Sequence, residues 1–232
     1  MKELVTGGEG YIGRNLMKVL EDPISYDIKS DWDILEPELL EEFIEDSDCV
    51  YHLAALPGVK QCEENPVSAW QVNTEGTFNV ARFCEKHEKP FVVASSFAVI
   101  SENPTVYGFT KSVCEIIAMR YGGLAARISN VYGGDGFLEL KDTAVARLMK
   151  GTFEDRGHGE ERRDFIHVDE VCKQLKRFME AQAPPTSFKG VIHVQTAKWI
   201  TINTLVALSK SSRFPDNIKS WQDGLNERLI PS

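Results

Sequence analysis

The chain has 232 residues and a formal net charge of −9, with 42% hydrophobic and 26% charged residues. This length accommodates one domain, or one large domain with a small lobe. The acidic charge argues against a nucleic-acid partner, because a phosphate backbone would be repelled. No apolar run approaches the roughly 20 residues that span a bilayer, which argues against a membrane protein.

The N-terminus leads directly into an apolar run, so we expect no signal peptide. The cysteines are odd in number and scattered, without a paired Cys-x-x-Cys spacing: Cys49, Cys62, Cys84, Cys114 and Cys172. This pattern predicts buried, reduced thiols in a cytoplasmic protein. It predicts neither a metal site nor a disulfide framework.

A glycine-rich turn follows the first predicted strand, with glycines at Gly7, Gly10 and Gly13, and a helical pattern begins near Ile12. Glycines without a Cβ let the backbone turn sharply and approach a pyrophosphate, which then lies at the helix N-terminus. Any tight strand–helix turn attracts glycine. Here Asp27, at the end of the next apolar run, supplies the acidic residue expected of a dinucleotide site.

Asp27 bears on the choice of dinucleotide. A carboxylate at this strand tip can accept hydrogen bonds from an adenosine ribose and repels a 2′-phosphate, which favours NAD over NADP. Lys29 lies close by in the sequence and weakens that preference. The alternative is that Asp27 simply ends a strand in solvent.

Predicted strands and helices then alternate. Pro37 begins a helix that carries Leu40 and Ile44 on one face. An apolar run over 49–55 predicts a strand buried on both faces, and we interpret His52 within it as a core histidine. A long helix over 66–87 and strands over 91–96 and 124–128 follow. The alternation predicts an α/β fold with a doubly wound parallel sheet, a Rossmann fold.

Beyond Asn130 the pattern changes to loops and shorter elements. We predict a helix over 142–149, a polar turn over 157–161, a helix from near Asp169, a break at Pro184 and Pro185, a strand over 190–194, and a helix capped by Thr201 or Asn203. The expected division assigns residues 1–129 and 164–195 to the dinucleotide-binding domain. Residues 130–163 and 196–232 then form a small substrate-capping lobe.

Three residues suggest proton-transfer chemistry. Tyr107 and Lys111 are four apart on one face of a predicted helix, and Ser96 ends the strand before it. A tyrosine that works as a base near pH 7 needs a pKa about 3 units below its ordinary value of about 10. A lysine ammonium close by acts in that direction, and a serine hydroxyl can hold the substrate oxygen. Alone, a Tyr-x-x-x-Lys pair is most often an exposed helix pair.

The motifs together give a resemblance. The chain resembles the extended short-chain dehydrogenase/reductases, of the NAD-dependent epimerase/dehydratase kind that acts on nucleotide sugars. The matching segments keep the family's order: residues 6–13, 33–34, 51–55, 73–77, 94–96, 107–111, 127–133 and 163–169.

The resemblance implies roles for individual residues. Catalysis would fall to Ser96, Tyr107 and Lys111. The dinucleotide would be bound by Gly7, Gly10, Tyr11, Ile12, Gly13, Asp27, Asp33, Ile34, Leu53, Ala54, Ala55 and Asn73, together with Tyr107 and Lys111. The sugar-nucleotide diphosphate would contact Ser96, Asn130 and Arg163, and a guanidinium suits phosphate oxygens. For Arg163 the alternative is a salt bridge to Glu160 or Glu161.

The chain also departs from the family pattern. The segment between Ser96 and Tyr107 is short, and the substrate lobe is small. Phe97 and Ala98 stand where sugar dehydratases carry an acidic pair, which argues against dehydration. His193 replaces the family's usual asparagine.

The resemblance therefore implies an enzyme, a homodimeric nucleotide-sugar epimerase that uses NAD. There are two alternatives. One is a reductase or dehydrogenase, and the other is a dinucleotide-binding protein without turnover. For the homodimer, the apolar residues on the helices around 69–83 and 113–121 exceed what one buried stripe needs.

Overall fold

The computed structural model describes residues 1–140, 143–153, 159–181 and 189–209. The first half contains β1 (Lys2–Thr6), α1 (Tyr11–Leu16), β2 (Asp22–Tyr26), α2 (Pro37–Glu45), β3 (Cys49–His52), α3 (Val59–Glu64), α4 (Pro66–Trp70), α5 (Gly76–Lys86) and β4 (Phe91–Ser96). The second half contains α6 (Val106–Arg120), β5 (Leu124–Ile128), β6 (Asn130–Tyr132), α7 (Ala144–Met149), β7 (Arg162–His167), α8 (Val168–Ala181), β8 (Gly190–Val194), β9 (Trp199–Thr201) and α9 (Ile202–Ser209).

Within these described residues the main sheet has six strands in the order β2-β1-β3-β4-β5-β8, and every neighbouring pair is parallel. The strand order reverses direction between β1 and β3, where an open α/β sheet binds its ligand. The doubly wound Rossmann-type sheet is therefore confirmed. The common order 3-2-1-4-5-6 places two strands outside the first strand. Here β2 alone lies there and forms the sheet edge.

The helix α2 packs as its periodicity predicts. Leu40 and Ile44 are fully buried, and Leu39 and Phe43 pack against the same core. The core continues through the central strands, where Leu4, Val50, Phe91 and Val93 are almost completely buried. Strand β3 ends at His52, so residues 53–55 form the loop after it and are not part of the strand.

The helical run from α4 to α5 differs from the single helix expected over 66–87. Residues 71–75 form one π-helical turn between the two α-helices. Hydroxyl groups bond backbone carbonyls at this turn: Thr74 Oγ1 donates to Trp70 O and Thr77 Oγ1 donates to Asn73 O, each at 2.5 Å. Such bonds compete with the regular helical pattern, and π turns often mark functional positions.

The chain divides into two compact units. One contains Met1–Ile128 and Cys172–Val194, and the other contains Ser129–Val171 and the described residues from Gln195 onward. In the second unit β6 pairs in parallel with β7, and β7 pairs antiparallel with β9. Helix α9 is capped by Thr201, whose Oγ1 accepts a hydrogen bond from Thr204 N at 3.0 Å.

Some elements predicted from the sequence begin at a different residue or lie outside the described residues. The helix expected from Asp142 begins at Ala144, and Asp142 lies outside the described residues. Gly157, His158, Pro184, Pro185 and the segment beyond 209 lie outside them as well.

Across the described part of the chain, no helix is long and apolar enough to cross a membrane, and no cluster of three side chains is suited to holding a metal ion. All five cysteines are buried, and none of them forms a disulfide bond.

His52 is the core histidine that the sequence predicts. Its Nδ1 lies 2.7 Å from Thr6 Oγ1 and its Nε2 lies 3.0 Å from Thr77 Oγ1. Burial, and next the charge of Lys111, lower the pKa of His52 to about 3. The imidazole is therefore neutral in the folded chain at any pH near neutrality.

This pKa predicts a specific pH dependence of stability. A histidine in an unfolded chain titrates near 6.5, so the unfolded state binds more protons and the free energy of unfolding falls as the pH drops from about 6.5 towards 3. We expect the protein to lose about 2 kcal/mol more than His52→Gln between pH 7 and pH 5. Urea unfolding at both pH values measures the difference. His87→Gln, at a partly exposed histidine paired with Glu41, is the control, and equal slopes for the protein and His52→Gln would contradict the assignment.

Candidate active site

The glycine turn closes against the loop that follows β3. Gly7 has φ +72°, and a Cβ at this position would lie 2.7 Å from the backbone nitrogen of Ala54. A Cβ at Gly13 would overlap the carbonyl oxygen of Gly7. Gly10 N donates to Gly7 O at 3.0 Å and ends the turn, and Tyr11 and Ile12 begin α1. Only glycine permits this close approach, which leaves the backbone and a helix N-terminus facing the space a pyrophosphate needs.

Asp27 follows β2 directly and is 6% exposed, so it does not end the strand in solvent. Its Oδ2 accepts a hydrogen bond from Glu9 N at 2.9 Å, and its Oδ1 accepts one from Lys29 N at 3.0 Å. The carboxylate therefore ties the end of β2 to the glycine turn. Each oxygen has a second lone pair that can accept a ribose hydroxyl. Lys29 Nζ donates to Glu9 O at 2.9 Å and so is held at the same turn.

The predicted walls of the dinucleotide cleft lie on two loops. Leu53 N donates to Thr6 O at 3.0 Å and Ala54 N donates to Thr6 Oγ1 at 3.4 Å, which places residues 53–55 beside the end of β1. Near β2, Tyr26 donates from its hydroxyl to Asp33 O at 3.0 Å, and burial raises the pKa of Tyr26 to about 12. Ile34 is buried, and its carbonyl accepts from Asn79 Nδ2 at 3.1 Å.

Asn73 lies inside the π turn and joins three segments. Its Oδ1 accepts a hydrogen bond from Leu56 N at 2.8 Å, and its Nδ2 donates to Thr110 Oγ1 at 3.0 Å. Its carbonyl accepts from Cys114 Sγ at 3.1 Å. The buried carboxamide thus connects the loop after β3 to helix α6, the helix that carries the predicted catalytic pair.

Helix α6 brings its first turns to the carboxyl end of β4. Lys111 is 5% exposed, and its Nζ donates to the carbonyl of Ala94 at 2.8 Å, two residues before Ser96. Ser96 caps the short turn over 97–100, with Oγ accepting from Ala98 N at 3.2 Å. A Cβ at Gly108 would lie 2.6 Å from Ala98 O, so the turn of α6 that contains Tyr107 packs on the residues after Ser96. Lys111 is thus buried beside the end of β4, and Tyr107, which is partly exposed, lies one helical turn before it on α6.

A buried ion pair lies beneath the same helix, between two residues to which the sequence assigns no role. Glu115 on α6 is 4% exposed and binds Arg127 on β5 through two hydrogen bonds of 2.7 Å, Nε to Oε1 and Nη2 to Oε2. Ser95 Oγ donates to the same Oε1 at 2.6 Å. The one sequence signal is spacing, because Glu115 continues the four-residue interval of Tyr107 and Lys111.

Asn130 and Arg163 belong to the second unit, unlike the other predicted site residues. Asn130 Nδ2 donates to Asp164 O at 2.9 Å. Arg163 Nη2 lies 2.8 Å from Glu161 Oε2, which is the salt bridge weighed as the alternative from the sequence. Both side chains of this pair are partly exposed, so solvent screens the interaction.

Asp164, next to Arg163 on β7, accepts more hydrogen bonds than the other carboxylates described in this unit. Its oxygens accept from Ser129 Oγ at 2.7 Å, Thr196 N at 3.0 Å, Thr196 Oγ1 at 2.5 Å and Lys198 N at 2.9 Å. The buried carboxylate therefore holds β7 to the segments on either side of it and fixes the strand from which Arg163 projects.

The model of the NAD dependent epimerase/dehydratase family matches residues 3–189. The chain belongs to this family. Its members use NAD, and the glycine turn and the Asp27 carboxylate described above have the shape and acceptors that this dinucleotide requires. The family consists of enzymes, the epimerases, dehydratases and dehydrogenases that depend on NAD.

Individual family members share about a quarter of the sequence. A provisionally named UDP-glucose 4-epimerase of Methanocaldococcus jannaschii is 26% identical, with 89% of this chain and 81% of the relative covered. D-erythronate dehydrogenase of Haemophilus influenzae is 24% identical over 88% and 76% of the two chains. The structure of UDP-glucose 4-epimerase from Brucella ovis in complex with NAD gives a TM-score of 0.77 at 22% identity, covering 89% and 81%. At this identity the structural likeness shows the fold.

The bonding of Asp27 predicts the effect of a conservative change. Asp27→Asn retains the size but turns one acceptor oxygen into an NH2 group that faces a backbone N–H donor. We expect the Kd for NAD to rise about tenfold or more, about 1.4 kcal/mol, and the preference for NAD over NADP to narrow. Calorimetric titration with each cofactor measures both. Asp22→Asn, at an exposed aspartate on β2, is the matched control, and unchanged NAD binding in Asp27→Asn would rule out the assigned role.

Proposed function

We propose that this protein is a nucleotide-sugar epimerase that oxidises one sugar carbon transiently and returns the hydride to it. The observation that carries the proposal is the placement of Tyr107 and Lys111 on one face of α6, with Lys111 bonded to Ala94 beside Ser96. The name of the Methanocaldococcus relative, a UDP-glucose 4-epimerase, supports the substrate class.

In this proposal bound NAD supplies the hydride acceptor. The residues of the chain handle the proton and the oxygen. Tyr107 takes the proton of the sugar hydroxyl as the carbon is oxidised and returns it after reduction from the opposite face. Lys111 stabilises the phenolate with its ammonium charge, and Ser96 donates a hydrogen bond to the same sugar oxygen. Inversion results because the sugar is reduced on the face opposite to the one oxidised.

Binding is assigned to the other residues of the site. We infer that Gly7, Gly10, Tyr11, Ile12 and Gly13 hold the pyrophosphate of NAD, with Asp27 on its ribose. Asp33 and Ile34 would flank the adenine, and residues 53–55 and Asn73 would line the cleft. On the substrate, Asn130 and Arg163 would contact the diphosphate. Arg163 would exchange its exposed Glu161 partner for phosphate, and a surface pair of this kind is worth only about 0–1 kcal/mol.

Dehydration is disfavoured by the residues after Ser96. Elimination of water from a sugar needs an acid beside the catalytic serine, and the turn over 97–100 contains only Phe97, Ala98, Val99 and Ile100. None of these side chains can donate or accept a proton. A dehydratase would therefore lack its acid at this position.

A one-way sugar dehydrogenase is the second candidate. The Haemophilus relative is named as D-erythronate dehydrogenase, and the same Ser96, Tyr107 and Lys111 would serve that reaction. The two activities differ in cofactor balance. An epimerase regenerates NAD in every cycle, whereas a dehydrogenase accumulates NADH with product. The third candidate, a dinucleotide-binding protein without turnover, retains NAD binding and forms no product.

One experiment separates these functions. The purified protein is incubated with NAD and each of a set of UDP-, GDP- and dTDP-sugars, and products are followed by NMR while NADH is followed by absorbance. An epimerised sugar without net NADH supports the proposal. NADH formed in proportion to product supports the dehydrogenase. No product, together with measurable NAD binding, supports the binding protein.

Tyr107→Phe tests the catalytic assignment. The variant keeps the ring and its packing but removes the group that takes the hydroxyl proton. We expect turnover to fall by about 10²–10⁴-fold, the contribution of a positioned general base, with the Kd for NAD unchanged. Tyr121→Phe, just beyond the C-terminus of the same helix, is the control. Near-normal turnover in Tyr107→Phe would show that another group is the base.

We also propose that the protein forms a homodimer through α4, α5 and α6. These helices expose large apolar side chains that the core does not use: Val67, Trp70, Phe78, Phe109, Ile116 and Met119. Trp70 and Phe109 stack with their ring centroids 6.1 Å apart and so form one continuous apolar surface. A second copy of the chain would bury this surface.

We also propose a cytoplasmic location, because the five buried thiols suit a reducing compartment.

The dimer is tested by mass in solution. Ile116 is 62% exposed in the middle of α6, so Ile116→Asp places a charge on the proposed interface without entering the core. We expect twice the chain mass for the unchanged protein at micromolar concentration and the single-chain mass for Ile116→Asp, by light scattering. Val19→Asp, at an exposed apolar residue after α1, should remain dimeric. A monomeric mass for the unchanged protein would refute the interface.

A further inference from the structure

The buried face of α6 carries one more charged residue than the proposed reaction uses. Tyr107, Lys111 and Glu115 follow at intervals of four, so the three side chains lie one above the other on that face. A lysine and a glutamate four apart on a helix are within reach of an ion pair. Here they do not form one, because Lys111 Nζ donates to Ala94 O and both oxygens of Glu115 bind elsewhere.

Arg127 is the group that occupies Glu115. The guanidinium binds the carboxylate as a planar fork, with two hydrogen bonds of 2.7 Å, and Ser95 Oγ adds a third of 2.6 Å. The hydrogen bonds that Arg127 donates to Glu115 raise the pKa of Arg127 above its ordinary value. The negative charge on this face of α6 is therefore neutralised by a residue of β5.

Stability alone does not account for such a pair. Burying two charges carries a desolvation penalty that often equals the attraction between them, so a well-packed apolar pair would hold α6 to the sheet about as well. An arginine and a glutamate differ from an apolar pair in one respect that matters here. Arg127 occupies the Glu115 carboxylate, so this carboxylate is not free to pair with Lys111.

We propose that Arg127 is a positioning residue that holds Glu115 away from Lys111 and so keeps the Lys111 charge available to Tyr107. The inference rests on the proposed function in its assignment of Tyr107 and Lys111. Without the guanidinium, Glu115 has one cation within reach on its own helix face, and pairing with it would neutralise the ammonium that stabilises the phenolate.

The elements around this part of α6 carry other titratable groups: Cys62 and Glu63 on α3, His52 on β3, Glu75 in the π turn, Arg82 and Glu85 on α5, Arg127 on β5 and His193 on β8. Glu63 Oε1 accepts from Val106 N at 2.8 Å, and His193 packs on the ring of Phe97 at 5.2 Å between centroids. His52 is neutral, and burial raises the pKa of the Cys62 thiol. None of them, apart from Arg127 itself, lies within hydrogen-bond distance of Glu115 in the described structure, so they do not replace Arg127 as its partner.

The test follows the phenol of Tyr107 directly. Protein with ¹³Cζ-labelled tyrosine is titrated by NMR with NAD bound, and Tyr107→Phe identifies the resonance. In Arg127→Met we expect the titration midpoint of this resonance to move up by about one pH unit or more, the effect of losing a neighbouring positive charge. The acidic limb of the turnover profile should move by the same amount. Arg120→Met, which removes an exposed partner of Glu85 from the same helix, should leave both unchanged.

A double variant separates electrostatics from loss of packing. In Arg127→Met/Glu115→Gln the carboxylate is gone too, so Lys111 stays unpaired and the midpoint should return to within about 0.3 of the unchanged protein. A purely structural role predicts the opposite, since the double variant has lost more contacts than the single one. If Arg127→Met does not fold, the double variant alone decides, because a midpoint lower than in the unchanged protein would mean that Glu115 already pairs with Lys111.

The NMR titration tests the role of Arg127 separately from the proposed enzymatic activity. An unmoved midpoint in Arg127→Met, or a double variant that does not recover, overturns the inference whether or not any sugar turns over. If no nucleotide sugar is converted to product, the proposed function is overturned, and the NMR titration still reports on Arg127.

Discussion

Helix α6 is attached to the central strands by buried polar groups, and the candidate catalytic geometry depends on that attachment. Lys111 binds the Ala94 carbonyl, and Glu115 binds Ser95 and Arg127, so two successive turns of the helix are fixed to β4 and β5. Asn73 and Thr110 add a third connection through the π turn. Directional bonds of this kind set the rotation and height of a helix more narrowly than apolar packing does, because each bond is lost when the helix turns or slides by a fraction of a turn.

The glycine turn of the same unit depends on close backbone contacts. Gly7 and Gly13 let three backbone segments meet in a space where any side chain would collide. Asp27 then fastens the end of β2 to the turn through Glu9 and Lys29. This bond matters more here because β2 is the edge strand, with a neighbour on one side only. A carboxylate that bonds two backbone N–H groups compensates for the missing support of an outer strand.

In the second unit, too, a buried carboxylate joins separate segments of the chain. Asp164 accepts hydrogen bonds from four donors on two segments, Ser129 and residues 196–198, and is almost fully buried, whereas its neighbour Arg163 stays partly exposed in a surface ion pair. A strand that is held by a buried carboxylate and carries an arginine in a partly exposed ion pair suits the anion-binding role proposed for Arg163.

The sequence by itself determined the parallel sheet, the glycine turn, the core position of His52, and the shared helix face of Tyr107 and Lys111. Apolar runs, missing Cβ atoms and a four-residue spacing are properties of neighbouring residues, and they act before distant segments meet. Tertiary structure alone decided that Arg127 takes Glu115, that Asn73 stands in a π turn bonded to Leu56 and Thr110, and that Arg163 pairs with Glu161 and not Glu160. Each charged or amide group has several partners within reach along the chain. The choice among them depends on which elements pack together, because a buried polar group binds whichever donor or acceptor the packing brings to it.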